Sequence, residues 1–320
     1  MPPEDEKRIR EFVKQLRQPI TIYFRHNPQH TDQALSRFCD AASQFAPHFQ
    51  VIKQLADPDE APGLQIKPNI TYHAVPQGPE VAPFLTALDY AANDLPSSAP
   101  PAIVEKLQQL TVPAELLIFI SPHCPFCPAM VRRGIEVAYA SELIYLSIID
   151  AFLFPDMAEK YRVLSTPTTV LDNSFRWTGE VQTEEILEAI TNRDPRRLGL
   201  GTFERIIEEG NASHIAAMIL EQQEIFPVFI DLLSHTSLPV RLGAMVAAEE
   251  LLEESPTLSS DMTLPLLDRL HTLEEPVMGD VIYLLGEIGD QRALSELNQI
   301  AAGHFSQEIK EAAQEAVAKF

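Results

Sequence analysis

Ser121-Pro-His-Cys-Pro-Phe-Cys-Pro128 decides the reading of this chain. Two residues separate Cys124 from Cys127. The apolar run before them, Ala114-Glu-Leu-Leu-Ile-Phe-Ile120, predicts a strand. The run after them, Ala129-Met-Val-Arg-Arg-Gly-Ile-Glu-Val-Ala-Tyr-Ala140, predicts a helix. A Cys-x-x-Cys pair at a strand-to-helix junction is the setting of a redox motif. Backbone N–H groups at a helix start favour negative charge, so a thiolate there is stabilised. The second cysteine, one helical turn in, is placed to close a disulfide with the first. The competing reading is half of a zinc site, which needs four ligands. The only other cysteine is Cys39, alone in its predicted helix, where it reads as a small buried hydrophobe. His30, His48, His73, His214, His235, His271 and His304 form no metal-ligand spacing, so no metal is expected.

The 320 residues predict two or three domains, and a hydrophobic content of 45% allows real cores. Lys and Arg number 24 against 46 Asp and Glu, a net charge of −22. That charge opposes non-specific binding to nucleic acid or anionic membrane. The start, Met1-Pro-Pro-Glu-Asp-Glu-Lys-Arg8, has no apolar signal-peptide core. No run reaches the roughly 18 apolar residues of a membrane span. Together these predict a reducing, cytoplasmic compartment. A Cys-x-x-Cys there is catalytic or metal-binding rather than structural.

Three segments follow from patterning: 1–96, 97–193 and 194–320. In the first, Ile20–Phe24, Phe49–Lys53 and Asn69–Val75 predict strands. Thr31 is placed to cap a helix over 32–45, and Gly78-Pro79 opens a helix from Glu80 to Ala92. Pro96-Ser-Ser-Ala-Pro-Pro101 punctuates the chain. The second segment predicts helix 102–110, strand 114–120, the Cys-x-x-Cys helix and strand Leu143–Ile149. Helix Phe154–Arg162, strand Thr168–Leu171, a turn at Asp172-Asn173, strand Phe175–Trp177 and helix Thr183–Thr191 complete it. From about 196 strand signals stop and Leu-, Ala- and Glu-rich helices take over. Asp231-Leu-Leu-Ser-His-Thr-Ser-Leu-Pro-Val240 matches Asp268-Arg-Leu-His-Thr-Leu-Glu-Glu-Pro-Val277 at a spacing of 37. Such a period suggests stacked helix pairs, a solenoid, with an irregular helical bundle as the alternative.

The second segment resembles thioredoxin at Cys124-Pro-Phe-Cys127 and at Ser165-Thr-Pro167-Thr. Residues 1–193 resemble more specifically a paired thioredoxin-fold module. One relative of that kind is the N-terminal domain of the alkyl hydroperoxide reductase flavoprotein subunit; another is the family of tandem-fold protein disulfide oxidoreductases. Ala74–Leu88, Ile149-Asp150-Ala-Phe-Leu-Phe154 and Thr166-Pro167-Thr carry that likeness. The tail resembles HEAT-like repeats. The implied fold class is α/β plus all-α: two tandem thioredoxin folds, only the second with Cys-x-x-Cys, followed by a HEAT-like α-solenoid. The resemblance implies that Pro167 is cis and faces the dithiol, with Thr166 pairing its backbone with substrate. It also implies that Glu80 faces the dithiol from the first fold, although Pro79 replaces the family's His. Thioredoxin's buried Asp and its Lys fall by spacing on Ile118 and Leu146, so the usual proton acceptor is missing.

In the reading that follows, Cys124 attacks a disulfide sulfur and Cys127 resolves the mixed disulfide. Glu80 is either a buried acid/base for Cys127 or a helix N-terminal carboxylate favoured by the dipole. His123 either lowers the thiol pKa as a cation or simply faces solvent. Pro125 and Phe126 set the loop's rigidity and apolar surface, for packing or for docking a protein segment. The acidic pairs Glu249-Glu250 and Glu253-Glu254 read as a solvated helix face or as a surface for a basic partner. No glycine fingerprint for FAD or NAD is present. No bound cofactor is expected beyond the redox-active Cys124–Cys127 disulfide, and reducing equivalents come from a thioredoxin-reductase-like flavoprotein. The expected function is a thiol–disulfide oxidoreductase acting on protein disulfide clients, a peroxiredoxin among them, whose tail binds a client or the reductase. The alternative is a redox-sensing adaptor whose tail affinity follows the dithiol state; a scaffold with a vestigial dithiol is the weakest reading.

Overall fold

The structure is a computed structural model that describes every residue except 17–18, 29–32, 46–48, 58–59, 94–100, 109 and 174. Thr31, His30, His48 and the punctuation at 96–100, with the boundary placed between 96 and 97, lie outside the described residues. The chain divides into two compact units, Met1–Arg193 and Asp194–Phe320.

The first unit is built on one sheet. In chain order its elements are α1 (Pro3–Gln15), β1 (Ile20–His26), α2 (Gln33–Phe45), β2 (Phe49–Leu55), β3 (Gly63–Lys67), β4 (Ile70–His73) and α3 (Val81–Asn93). The second half continues with α4 (Pro101–Leu107), β5 (Ala114–Ile120), α5 (Cys127–Ala140), β6 (Ile144–Asp150), α6 (Pro155–Lys160), β7 (Thr168–Leu171), β8 (Phe175–Thr178) and α7 (Thr183–Thr191). The strand order β2-β1-β3-β4-β6-β5-β7-β8 contains the same pattern twice. β1 pairs parallel with β2 and antiparallel with β3, and β5 pairs parallel with β6 and antiparallel with β7.

The two halves join where β4 runs parallel to β6, with Ile70 opposite Leu146 and His73 opposite Ile149. Buried Asn69 fixes this seam. Its amide donates to the carbonyls of Ala138 at 3.0 Å and Ile144 at 2.9 Å, while Leu146 N–H donates to the Asn69 carbonyl at 2.8 Å. One apolar core runs through both halves, from Ile9 on α1 to Ile190 on α7. β5 is its centre: every residue of the strand except Glu115 is buried, as expected for a strand covered on both faces.

α1 and β3 do not appear in the sequence reading. β3 is five residues long, and the alternation of Leu64 and Ile66 with Gln65 and Lys67 is too short a run to declare itself. It nonetheless completes the first half, bridging β1 and β4. The Asp172-Asn173 turn is left-handed at both residues (φ 47° and 57°), and Asp172 holds it by accepting from Glu115 N–H at 2.9 Å and from Arg193 at 2.9 Å. That ion pair is almost fully buried, at 1% and 6% exposure.

The second unit is helical: α8 (Leu200–Glu208), α9 (Ala212–Gln222), α10 (Pro227–Leu233), α11 (Leu238–Glu254), α12 (Pro256–Ser259), α13 (Thr263–Leu270), α14 (Glu275–Ile288), α15 (Gln291–Ala302) and α16 (Gln307–Val317). Ion pairs link helices 38 and 39 residues apart in the chain. Asp231 on α10 meets Arg269 on α13 at 2.6 Å, and buried Arg241 on α11 meets Asp280 on α14 at 2.6 Å. Asp231 is one of the residues that recur at the spacing of 37.

Candidate active site

β5 ends at Ile120 and the chain turns through Ser121-Pro122-His123, with Cys124 N–H donating to the Ser121 carbonyl at 3.1 Å. α5 then begins at Cys127 itself, two residues earlier than the apolar pattern predicts, with Pro128 in its first turn. Proline is tolerated there because its missing N–H would lack an intrahelical partner anyway. The Cys127 N–H, one of the orphan donors of a helix start, points at Cys124 Sγ across 3.2 Å. An N–H of a helix start aimed at a sulfur favours negative charge there.

The second wall comes from the other side of the sheet centre. The Thr166–Pro167 peptide is cis. Cys124 Sγ lies 3.4 Å from the Thr166 carbonyl oxygen, and the hydroxyls of Ser121 and Thr166 share a hydrogen bond of 2.9 Å. The dithiol loop and the Thr166-Pro167 loop are thus tied together at the ends of β5 and β7.

The two sulfurs differ in surroundings. Cys124 is 8% exposed and Cys127 is fully buried. Burial, then the hydrogen bond with Cys124, push the Cys127 thiol up to about 12; the Ser121 backbone and the Thr166 side chain offset only part of this. Ile118 and Leu146 are fully or almost fully buried and both reach toward Gly134 on α5. A Cβ on Gly134 would lie 2.4 Å from Ile118 Cδ1, so α5 sits close on the sheet only because residue 134 has no side chain. No carboxylate stands in this apolar floor.

The carboxylate singled out from the sequence, Glu80, belongs to the first half. Glu80 lies in a single 3-10 turn, Gly78–Glu80, that leads into α3 and packs on α5. Gly78 has φ +57°, a left-handed conformation suited to glycine. α1 clamps this turn: Asp5 accepts from Gly78 N–H at 2.8 Å and Arg8 donates to the Gly78 carbonyl at 3.2 Å. Glu80 is 3% exposed and neither carboxylate oxygen has a hydrogen-bond partner. Burial raises its pKa to about 7; Arg132 on α5 lowers it and Asp150 at the end of β6 raises it further. No direct hydrogen bond joins Glu80 to either thiol.

The remaining residues singled out from the sequence sit at the rim. His123 and Pro125 are exposed, and Phe126 is 58% exposed. Cys39 is buried in the core of the first half, 1% exposed. Two further apolar residues at this end of the sheet escaped the sequence reading. Phe152, just beyond the pairing of Ile120 with Asp150, is 79% exposed, and Leu164, two residues before Thr166, is 97% exposed. A loop leucine or phenylalanine carries no sequence signal of exposure, so nothing could have found them. Asp5 escaped too, and Asp150 entered the sequence reading only within the Ile149–Phe154 string that carries the family likeness.

The thioredoxin domain family matches residues 114–192. A thioredoxin of Methanocaldococcus jannaschii is 34% identical over 80 residues, which are 24% of this chain and 91% of that protein. Among solved structures, the N-terminal domain of the alkylhydroperoxide reductase AhpF from Enterococcus faecalis superposes with a TM-score of 0.51 at 18% identity, over 59% of this chain and 99% of that one. A protein disulfide oxidoreductase from Aeropyrum pernix gives a TM-score of 0.51 at 18% identity, over 59% of this chain and 91% of the other. The last two likenesses show the fold of the eight-stranded unit. The sequence match over the second half shows descent, and by it this chain belongs to the thioredoxin family.

Proposed function

We propose that the chain is a thiol–disulfide oxidoreductase in which Cys124 is the nucleophile and Cys127 the resolving thiol. The observation that carries this reading is the Cys127 N–H aimed at Cys124 Sγ from the first turn of α5. The Cys124 thiolate attacks one sulfur of a client disulfide, forming a mixed disulfide and releasing the other client sulfur as a thiolate that takes up a proton. Cys127 then loses its proton and attacks Cys124 Sγ. The Cys124–Cys127 disulfide forms and the second client thiolate leaves. Two electrons pass from the dithiol to the client disulfide.

A thiol with its pKa near 12 needs a base at this second step. Glu80 fills that role in our reading, because a carboxylate titrating at about 7 is matched to neutral pH. Thr166 and Pro167 present backbone to the client beside Cys124. Phe126, Phe152 and Leu164 supply an apolar rim against which a client segment packs.

We further propose that a thioredoxin-reductase-like flavoprotein returns the electrons and that a peroxiredoxin is one client, on the likeness to the alkylhydroperoxide reductase module. The reaction is assigned to a reducing, cytoplasmic compartment. Among the described residues, no helix is long and apolar enough to cross a membrane. The helical unit is read as a HEAT-like solenoid that binds a partner.

The test is the reduction potential of the Cys124–Cys127 pair, measured against glutathione or dithiothreitol couples, on a sample also assayed for disulfide turnover. A potential near about −270 mV with turnover supports a reductase; one well above about −200 mV makes it an oxidant or isomerase. A pair that cycles without turning over any disulfide favours the redox-sensing adaptor instead.

A further inference from the structure

α11 is apolar on two sides. Val240, Ala244, Ala247, Ala248 and Leu251 are buried against its neighbours, and Gly243 is close enough to α8 that a Cβ would meet Ile207 Cγ2 at 2.3 Å. The opposite side carries Leu238, Leu242 and Val246 at 52%, 48% and 52% exposure. Their spacing of four places them in one stripe, about 12 Å long at 1.5 Å per residue. A surface helix in water is polar on its outer side; one apolar all round is otherwise buried. Tyr283 of α14, 44% exposed, adds a fourth large side chain to this part of the unit.

The stripe continues into acid. Glu249 and Glu253 follow Val246 at the next positions of the same face, both exposed, and Glu254 is exposed beside them. On α14 the Tyr283 hydroxyl is hydrogen-bonded to Glu287, which pushes its pKa up, and the charge of Glu249 on α11 adds to the effect. Lys319 lies 4.6 Å from the centre of the Tyr283 ring and pairs with Glu287. That contact shows how a cation sits at this end of the face. The cation within α11 itself, Arg241, is buried and paired with Asp280. Residues 194–320 carry 8 Lys and Arg against 22 Asp and Glu, a net charge of −14. A second copy of the chain would bring the same sign of charge to this face.

We infer that the α11–α14 face docks a partner protein through an amphipathic helix whose apolar anchors cover Leu238, Leu242 and Val246 and whose Lys and Arg side chains meet Glu249, Glu253 and Glu254. The length of the stripe, just over two turns, matches the i, i+4, i+7 anchors with which a helix lies on an apolar surface. The acidic end sets polarity, because only one direction of the bound helix brings its basic turn to Glu249 and Glu253. Opposite charge steers the encounter and makes it salt-sensitive.

The probe is a fluorescent synthetic helix with Leu at i, i+4 and i+7 and Lys in its last two turns, titrated by anisotropy against the full chain. The Leu242→Ser/Val246→Ser variant leaves the net charge at −22 and removes only the stripe; it should bind the probe at least about tenfold more weakly. Glu249→Gln/Glu253→Gln should weaken binding and flatten its salt dependence. Glu308→Gln/Glu311→Gln removes the same charge from α16 and should leave binding as it was. Two results would overturn the inference: the Ser variant binding like the parent, or the α16 variant losing as much as the α11 glutamine variant. A parent chain that dimerises in sedimentation, with the Ser variant monomeric, would overturn it in favour of a second copy. Far-UV circular dichroism and thermal melting confirm that each variant keeps its fold.

Discussion

The two halves of the eight-stranded sheet share a strand plan and differ in what its ends carry. β1 and β5 are matching central strands. After β1, Asn27 is 1% exposed and its amide locks the loop by donating to the carbonyls of Asp57 at 3.0 Å and Glu60 at 2.8 Å. After β5, the matching loop holds Cys124 with its sulfur at a helix start. Pro62 precedes β3 as Pro167 precedes β7. The Pro62 carbonyl accepts from Nδ1 of buried His73 at 3.0 Å, and burial lowers the His73 pKa. The Pro167 carbonyl accepts from Gly179 N–H at 2.8 Å, and the Thr166 carbonyl is left facing Cys124. The same skeleton is closed by side-chain hydrogen bonds in one half and left reactive in the other. The closed half reaches the other through the Glu80 turn, which packs on α5.

The sharpest way to break this division is Cys124→Ser, which should reduce disulfide turnover to the uncatalysed background while leaving thermal unfolding nearly unchanged. Cys39→Ser, in the closed half, should leave turnover intact if the variant folds. Comparable losses in both would erase the distinction.

Structural cost in the second half is concentrated at Asp172. Replacing it with Ala leaves the buried Arg193 guanidinium without its counter-charge, although it still donates to the Ile190, Val112 and Pro113 carbonyls, and should destabilise the first unit by about 3 kcal/mol. Denaturant unfolding of the full chain checks this. A loss below about 1 kcal/mol, the scale of an exposed pair, would contradict the buried geometry.

Glu80→Gln tests whether the closed half feeds chemistry. A carboxylate held at about 7 in the folded state and at its ordinary value when unfolded binds its proton more tightly when folded. Its contribution to stability is therefore fully present at low pH and is lost as pH rises toward about 7. The variant should accordingly be the more stable protein above pH 7, by up to about 3 kcal/mol. It should also lose the rise in resolution rate that the parent shows through that pH. Identical pH–rate profiles would remove Glu80 from the mechanism.

The smallest effect is expected at Gly134→Ala, where the added methyl meets Ile118; about 1–3 kcal/mol of destabilisation follows, with turnover retained per folded molecule. Pairing it with Ile118→Val should recover part of the loss. No recovery would place the clash elsewhere.

How much of this was legible follows from how local each feature is. β5, the Cys-x-x-Cys turn and α5 are contiguous, and their apolar runs and turn residues declare them directly. The β7–β8 hairpin is legible for the same reason, since Asp172-Asn173 marks its turn. β3 and α1 are not. β3 earns its place from its partners in β1, 38 or more residues away, with Arg25 opposite Gly63, and α1 from clamping Gly78 across 73 residues. The burial of Glu80 beside Asp150 joins the two halves and has no local signature; only the family resemblance singled Glu80 out. The exposed stripe on α11 was hidden differently. Leu238, Leu242 and Val246 read as core by composition, and only the packed helix shows which side they face.

The central claim is the asymmetry of the dithiol, and mixed-disulfide trapping tests it most directly. The full chain carrying Cys127→Ser is mixed with a small peptide disulfide, and the adduct is located by mass spectrometry; Cys124→Ser is treated in parallel. The account predicts a stable adduct on Cys124 in the first variant and none on the buried Cys127 in the second. Equal trapping on either cysteine, or a Cys127 adduct forming faster, would contradict it.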